Sequence, residues 1–398
     1  MSSLNKINEH ADSVRQQKPQ WAMFAWVAGF VLTGFFISLF IFDDGNVTNI
    51  LMTRRLPLTA IGVIIMMAAY FTDFTILGKY PRSICFGVGL LLAVIYGLAG
   101  FGTSISILDM QFQLQVFALL LPVVFAPIIY ISRNKRYLGL FGCLLTYGLL
   151  CLVTLSANQI SGFVHFAIIG MSLLIIAVMK NWFGVNKGIG VALTLVPHII
   201  LFAAIVFAYG GSERLMAIIN PHSDPMAFGF VGIQVRELLS NAVLVGEGTV
   251  PEIFPEAWMY SDFISLTIIN RFGWLAFALV TGLLMFFIGQ LIVRCMKQKS
   301  GLGFFVSIAV VLTLSVQIFM HVIFNMGFIF TQISLPLISP GNSAMLINMG
   351  LIGLMLSVFR TGDAVIDEIN ASDFLSWKDG KLIINFNFGG QMSRITHL

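Results

Sequence analysis

The sequence has little charge and little cysteine. Asp, Glu, Lys and Arg make up 10% of its 398 residues, against about a quarter in soluble domains. Hydrophobic residues make up 58%, and the mean hydropathy is +0.93. A soluble fold this apolar would have too little polar surface to face water, so the composition predicts a polytopic membrane protein. The cysteines have no disulfide-framework or metal-site spacing (Cys85, Cys143, Cys151 and Cys295).

Hydropathy predicts an all-α bundle of about ten transmembrane helices, because lipid offers no partner to backbone N–H and C=O groups outside a helix. The apolar runs give the expected spans 21–42, 56–75, 84–100, 113–132, 137–156, 162–179, 188–209, 273–293, 302–324 and 343–359.

The distribution of positive charge predicts the orientation. With the N-terminus inside, the cytoplasmic segments hold all of the 22 Lys and Arg residues except Arg54, Arg55, Arg214, Arg236 and Arg271. This bias places both termini in the cytoplasm and the long loop outside. The net charge of +4 belongs mostly to these inner segments and indicates no nucleic-acid partner.

The same pattern divides the chain into a cytoplasmic tail (1–20), a transmembrane domain (21–360) with an external loop (210–272), and a second cytoplasmic tail (361–398). In the second tail, Asp379-Gly380 separates two β-prone runs. An Asp-Gly pair in that setting predicts a β-hairpin.

The external loop is acidic and punctuated by glycine and proline. It has no lysine and carries seven of the chain's 18 carboxylates (Glu213, Asp224, Glu237, Glu247, Glu252, Glu256 and Asp262). Such a segment, on one side of an otherwise apolar protein, indicates that the chemistry lies there. Asp262 stands just before the chain re-enters the membrane. It is either a helix N-cap or a partly desolvated reactive carboxylate.

An ordered set of motifs runs through the loop and the spans that follow it. In the loop these are Arg214, Asn220-Pro221, Asp224-Pro225, Gly229, Gln234, Gly246, Gly248, Pro255-Glu256 and Asp262-Phe263-Ile264. Further on they are Gln317, Phe319, Asn325, Gly327 and Leu335-Pro336-Leu337-Ile338-Ser339, and a weaker match precedes them at Phe112-Gln113. The set resembles the SEDS family (shape, elongation, division and sporulation), the RodA- and FtsW-like proteins.

The resemblance implies a peptidoglycan glycosyltransferase of the bacterial plasma membrane, acting in cell elongation, division or sporulation. Its substrate would be lipid II, an undecaprenyl-linked disaccharide, and its partner a class B penicillin-binding protein. Asp262 matches the family's proposed catalytic carboxylate and would act as general base. The expected substrate-binding residues are Arg214, Gln234, Glu256, Arg271, Asn325 and Ser339.

Two routes to neutralise the leaving pyrophosphate stay open. The loop's cations Arg214, Arg236 and Arg271 suit phosphate oxygens, because a guanidinium binds them in bidentate fashion. A divalent cation, Mg²⁺ or Mn²⁺, held by loop carboxylates is the other route. No spacing of residues specifies a metal site.

Several positions depart from the family pattern. The family's intramembrane Glu and Lys fall at Val116 and Leu119, its Gly-Lys-Gly at Gly246-Glu247-Gly248, and its Glu-Glu at Asn270-Arg271. These departures favour an alternative, a catalytically degenerate scaffold that recruits or regulates a penicillin-binding protein. A second alternative is a lipid flippase or transporter. Ion-coupled transport would need intramembrane charges, and none is evident in the spans between 84 and 209.

Three further positions have simpler interpretations. Asp224-Pro225 is typical of a turn, and Arg236-Glu237 of a solvated loop face. His321 stands where the family has Asn, and we expect it to make a polar contact between helices.

Overall fold

The structure is a computed structural model, and it describes twelve stretches of the chain. These are residues 21–41, 56–98, 104–107, 110–156, 160–209, 213–226, 229–249, 262–328, 333–339, 343–362, 375–378 and 381–384. The chain divides into two units, Met1–Val365 and Ile366–Leu398. The division into tails and a membrane domain at residues 20 and 360 stays a prediction.

The first unit is a bundle of apolar helices. They are α1 (Trp21–Ile41), α2 (Leu56–Phe71), α3 (Thr75–Lys79), α4 (Pro81–Leu98), α5 (Leu121–Ile131), α6 (Arg136–Ser156), α7 (Ile160–Met179), α8 (Lys187–Tyr209), α9 (Glu213–Ile219), α10 (Phe230–Ser240), α11 (Ile264–Phe272), α12 (Trp274–Met296), α13 (Gly301–Asn325) and α14 (Ser343–Thr361).

Each predicted span overlaps one of these helices. Within the described residues, α6, α7, α12, α13 and α14 are long and apolar enough to cross a membrane, and α1, α2, α4, α5 and α8 are shorter apolar helices. The prediction of a polytopic helical membrane protein is therefore confirmed. The described part of the external loop contributes three helices that do not span the membrane, α9, α10 and α11, and the last two carry most of the residues of interest.

The fourth predicted span is wrong at its start. The sequence predicted a helix from residue 113, but Gln113 ends a strand, and Leu114–Leu120 form a 3-10 helix before α5 begins at Leu121. Pro122 lies in the first turn of α5. A proline is accepted there because its missing N–H would have no partner inside the helix, so it favours a new α-helix at this point.

Two short antiparallel hairpins accompany the helices. β1 (Ser104–Ile107) pairs with β2 (Met110–Gln113), which the sequence analysis missed although polar and apolar residues alternate along both strands. In the second unit, β3 (Leu375–Lys378) pairs with β4 (Lys381–Ile384), with Lys378 opposite Lys381. The hairpin predicted from Asp379-Gly380 is confirmed.

The helix α13 lies at the centre of the first unit. It is the most buried of the five long helices, and it packs against α5, α7, α12 and α14. At another interface, α14 packs closely on α2, where a Cβ added at Gly353 would clash with the carbonyl oxygen of Met66. Small residues allow such close backbone approach inside membranes. The C-terminal end of α13 reaches α11, and that contact builds the candidate site.

Candidate functional site

Asp262 precedes Phe263, the cap residue of α11, and is buried, with 6% of its surface exposed. Among the described residues, no other Asp, Glu, Lys or Arg side chain is buried. Removing a carboxylate from water is costly unless the surroundings compensate. A buried carboxylate at the end of the external loop is therefore the most unusual electrostatic feature of the described chain.

The N-cap interpretation of Asp262 is wrong. The cap position of α11 is Phe263, which makes no side-chain capping bond. The third N–H group of the helix, on Leu266, instead donates to Asn325 Oδ1 on α13 at 2.9 Å. The first N–H groups of a helix have no partner inside it. A side chain from another helix supplies the acceptor here, in place of the residue that precedes α11.

Asn325 also holds the backbone of Asp262. Its Nδ2 donates to the Asp262 carbonyl at 3.0 Å and to the His321 carbonyl at 2.9 Å. The side chain is fully buried, and both ends of its amide bond to protein groups. This environment gives Asn325 a task inside the protein instead of the predicted contact with substrate.

His321 completes a polar network behind Asp262. Its Nδ1 lies 2.6 Å from the Ile333 carbonyl, and its Nε2 lies 3.0 Å from Ser265 Oγ and 3.3 Å from Asn325 Nδ2. The predicted polar contact between helices is confirmed, because Ser265 belongs to α11 and His321 to α13.

Aromatic packing fixes α10, α11 and α13 to one another. The Phe263 and Phe324 rings stack with centroids 4.8 Å apart. Val235 and Leu238 of α10 join them, together with Leu266, in one buried cluster. The residue that follows Asp262 is thus anchored in a hydrophobic core shared by three helices.

Gln234 lies on α10 next to this cluster. It is 8% exposed, and its Oε1 makes no hydrogen bond within the described residues. An unsatisfied buried acceptor costs about 1–3 kcal/mol. A protein keeps such a group most readily where a bound molecule or water supplies the missing donor.

Arg271, at the C-terminal end of α11, forms an ion pair with Glu247. The backbone around this pair is also joined, since the Gly248 N–H donates to the Asn270 carbonyl at 2.6 Å and the Trp274 N–H to the Val243 carbonyl at 3.1 Å.

Gly273 has φ +88°, and a Cβ there would lie 2.5 Å from the Leu244 carbonyl oxygen. Both facts require glycine at this position.

The remaining predicted substrate residues are less informative. Arg214 belongs to α9, but its side chain lies outside the described part of the structure, and Glu256 falls in the undescribed segment 250–261. Ser339 is buried, and its Oγ accepts the Leu335 N–H at 2.9 Å. This bond closes a local turn.

The turn prediction at Asp224 is confirmed, because its carbonyl accepts the Gly229 N–H at 2.9 Å. The prediction that Arg236 lies on a solvated loop face is wrong. Its side chain is half-buried, and its Nη2 donates to the Ile219 carbonyl at 3.4 Å. Carbonyl groups at the end of a helix such as α9 lack intrahelical partners and attract cations, which accounts for this bond. Glu237 is exposed, as expected.

The positions of the family's intramembrane Glu and Lys are apolar and buried here. Val116 is 6% exposed and Leu119 is 3% exposed. Replacing both members of a buried ion pair with apolar residues leaves no unpaired charge, so the fold is preserved.

No group of three or more His, Cys, Asp or Glu side chains within the described residues is arranged to hold a metal ion. Two of the loop carboxylates, Glu252 and Glu256, lie outside those residues. The described side chains therefore do not by themselves fit a divalent cation.

Sequence reasoning missed Ser265 altogether and gave His321 only a structural role. The available signal was spacing, since His321 and Asn325 lie one helical turn apart and must share a face of α13. The partner of His321 could not be read from the sequence, because Ser265 is 56 residues from His321.

Known proteins resemble this chain along most of its length. The FtsW/RodA/SpoVE model, described as "Cell cycle protein", matches residues 19–363. A probable peptidoglycan glycosyltransferase FtsW of Geobacter sp. (strain M18) is 23% identical over 323 residues, which are 77% of this chain and 86% of that protein.

Solved structures share the fold. A chain from a peptidoglycan synthase complex has a TM-score of 0.67 at 18% identity, covering 86% of this chain and 98% of that one. The rod shape determining protein RodA of Thermus thermophilus has a TM-score of 0.61 at 15% identity, covering 87% and 99%. With the family model matching far more than half of its length, the chain belongs to the FtsW/RodA/SpoVE family of cell cycle proteins, the SEDS family.

Proposed function

We propose that this multi-pass protein of the bacterial plasma membrane is a peptidoglycan glycosyltransferase that polymerises lipid II at the outer membrane face. The observation that carries the proposal is the buried carboxylate of Asp262, held at the start of α11 by two other helices. The names of the relatives support the same activity.

Asp262 acts as the general base. Glycosyl transfer forms a bond between the acceptor hydroxyl oxygen and the anomeric carbon of the donor sugar, and it breaks the bond from that carbon to the pyrophosphate. The acceptor hydroxyl loses a proton, which the Asp262 carboxylate takes. A positioned base of this kind contributes about 10²–10⁴-fold to the rate.

The substrate is held by polar groups of the external loop. Gln234 Oε1 accepts a hydrogen bond from a sugar hydroxyl or amide, which satisfies the acceptor that the described residues leave unpaired. Arg214 and Arg271 neutralise the departing pyrophosphate, and Glu256 completes the part of the predicted set that belongs to the loop. A divalent cation is the alternative counter-charge, and chelation with EDTA separates the two because arginine needs no metal.

A class B penicillin-binding protein is the proposed partner. One structural neighbour is a chain of a complex that coordinates polymerisation and crosslinking. Glycan strands leave the outer face of the membrane, where a transpeptidase can crosslink them.

The direct test is polymerisation of labelled lipid II by the purified protein, with and without a co-purified transpeptidase and with and without EDTA. Glycan ladders from the purified protein support the proposal. A protein that binds its partner but forms no product in any of these conditions contradicts it.

The second candidate is a scaffold that recruits or regulates the transpeptidase without turning over lipid II. The buried Val116 and Leu119 favour it, since an intramembrane charged pair of the family is replaced there by apolar packing. In the same assay the scaffold would make no glycan, but it would increase crosslinking by its partner once preformed glycan strands are supplied.

A further inference from the structure

We infer that Ser265, His321 and Asn325 form a positioning network that sets the place of Asp262 for glycosyl transfer without touching the substrate. The inference rests on the proposed function and extends it, because it assigns a part in the reaction to residues of the protein interior.

Asn325 bridges the two ends of the turn that carries Asp262. It donates to the Asp262 carbonyl at 3.0 Å and accepts from the Leu266 N–H at 2.9 Å. These two groups are four residues apart in the chain, so one rigid amide fixes both sides of the first turn of α11. A shift of the Asn325 side chain would move the backbone of Asp262 and the start of the helix together.

The hydrogen bonds of the His321 ring fix its protonation state, and through these bonds the ring holds Asn325 and α11 in place. The Ile333 carbonyl can only accept, so Nδ1, at 2.6 Å, carries the proton. In the neutral ring Nε2 is then an acceptor, and Ser265 Oγ donates to it at 3.0 Å. The bond from Ser265 ties the second residue of α11 to the C-terminal part of α13.

The network has no access to the substrate. His321 and Asn325 are 0% exposed, and Ser265 is 1% exposed. Their effect on the reaction must therefore pass through Asp262. An error of about 1 Å in the position of a reacting group can cost up to about a hundredfold in rate.

The test compares Ser265→Ala with Ser307→Ala in the full-length protein reconstituted in liposomes. Both substitutions remove one buried hydroxyl, but Ser307 bonds to the Phe304 carbonyl within α13, far along the helix from His321. We expect Ser265→Ala to lower kcat about tenfold to a hundredfold with KM for lipid II unchanged. Ser307→Ala is expected to keep the parent kcat, and the two variants to melt at similar temperatures.

Two variants of His321 add a rescue. His321→Leu removes both bonds of the ring and lowers kcat like Ser265→Ala. His321→Gln places an amide near the position of Nε2, where it can accept from Ser265, and recovers part of the loss. If His321→Leu does not fold, Ser265→Ala still decides, since it removes a single oxygen atom.

The outcomes separate the two proposals. An active parent in which Ser265→Ala and Ser307→Ala have the same kcat overturns the positioning network alone. A rise in KM with kcat unchanged also overturns it, because that pattern belongs to a residue that binds substrate. An inactive parent overturns the proposed function, and the positioning inference with it.

Discussion

At the scale of single residues, what distinguishes this chain is where it keeps polar atoms that a membrane bundle would normally avoid. Gln234 is buried with an unsatisfied oxygen, while the fully buried Asn325 has both ends of its amide bonded. The difference assigns them different tasks. A satisfied amide stabilises structure, whereas an unsatisfied one is retained for a ligand or water.

Replacing Gln234 with leucine is expected to stabilise the protein and weaken substrate binding. Removing a buried acceptor that lacks a partner is neutral or favourable by about 1 kcal/mol, so the melting temperature should hold or rise. The KM for lipid II should increase severalfold, which initial-rate kinetics would measure. Gln317→Leu is the matched control, since Gln317 Oε1 is also buried and unbonded but belongs to α13. An unchanged KM in the Gln234 variant would remove Gln234 from the substrate site.

At the scale of elements, the segment around residues 243–249 and the end of α11 act as one joined unit. Backbone hydrogen bonds connect them, and the Glu247–Arg271 ion pair closes the outside. The family pattern has Lys and Glu where this chain has Glu247 and Arg271. The two departures therefore compensate each other, since the signs of both charges are exchanged and the attraction is kept.

Reversing one charge of the Glu247–Arg271 pair should lower the melting temperature slightly, and reversing both charges should restore the melting temperature of the parent. The Arg271 and Glu247 side chains are 33% and 58% exposed, and exposed pairs contribute about 0–1 kcal/mol. We expect Glu247→Lys to lower the melting temperature slightly and the double variant Glu247→Lys/Arg271→Glu to recover it. Thermal unfolding in detergent at low salt is the measurement. Glu237→Lys controls for net charge, and a double variant no more stable than Glu247→Lys would show that the pair contributes nothing.

The comparison of sequence with structure is clearest for these elements. Hydropathy placed the helices well because a span of lipid-facing residues is a local property of the chain. The start of α5 was predicted wrongly because the residues of the 3-10 helix are apolar and look like part of the same span. The β1–β2 hairpin was missed because its strands are short and lie next to that apolar run. The network behind Asp262 depends on α11 and α13 meeting, and contacts between distant segments leave no local pattern.

At the scale of the whole molecule, the charge bias and the placement of the loop make one prediction about orientation. The four cysteines are all buried, so the parent should react weakly with a membrane-impermeant maleimide. In intact cells or right-side-out vesicles, Ser240→Cys should label from outside, because Ser240 is exposed at the end of α10. Lys299→Cys, exposed between α12 and α13, should label only after the membrane is opened. The reverse pattern would contradict the assigned orientation.

The most direct test of the central claim is the rate of lipid II polymerisation by Asp262→Asn, beside Asp224→Asn from the same loop. Asparagine keeps the size of the side chain and removes its basicity. A general base that contributes about 10²–10⁴-fold predicts a loss of that size in Asp262→Asn. Asp224→Asn should polymerise at the parent rate, because the role of Asp224 is in a turn. Parent-like polymerisation by a well-folded Asp262→Asn protein would contradict the assignment of Asp262 as the catalytic base.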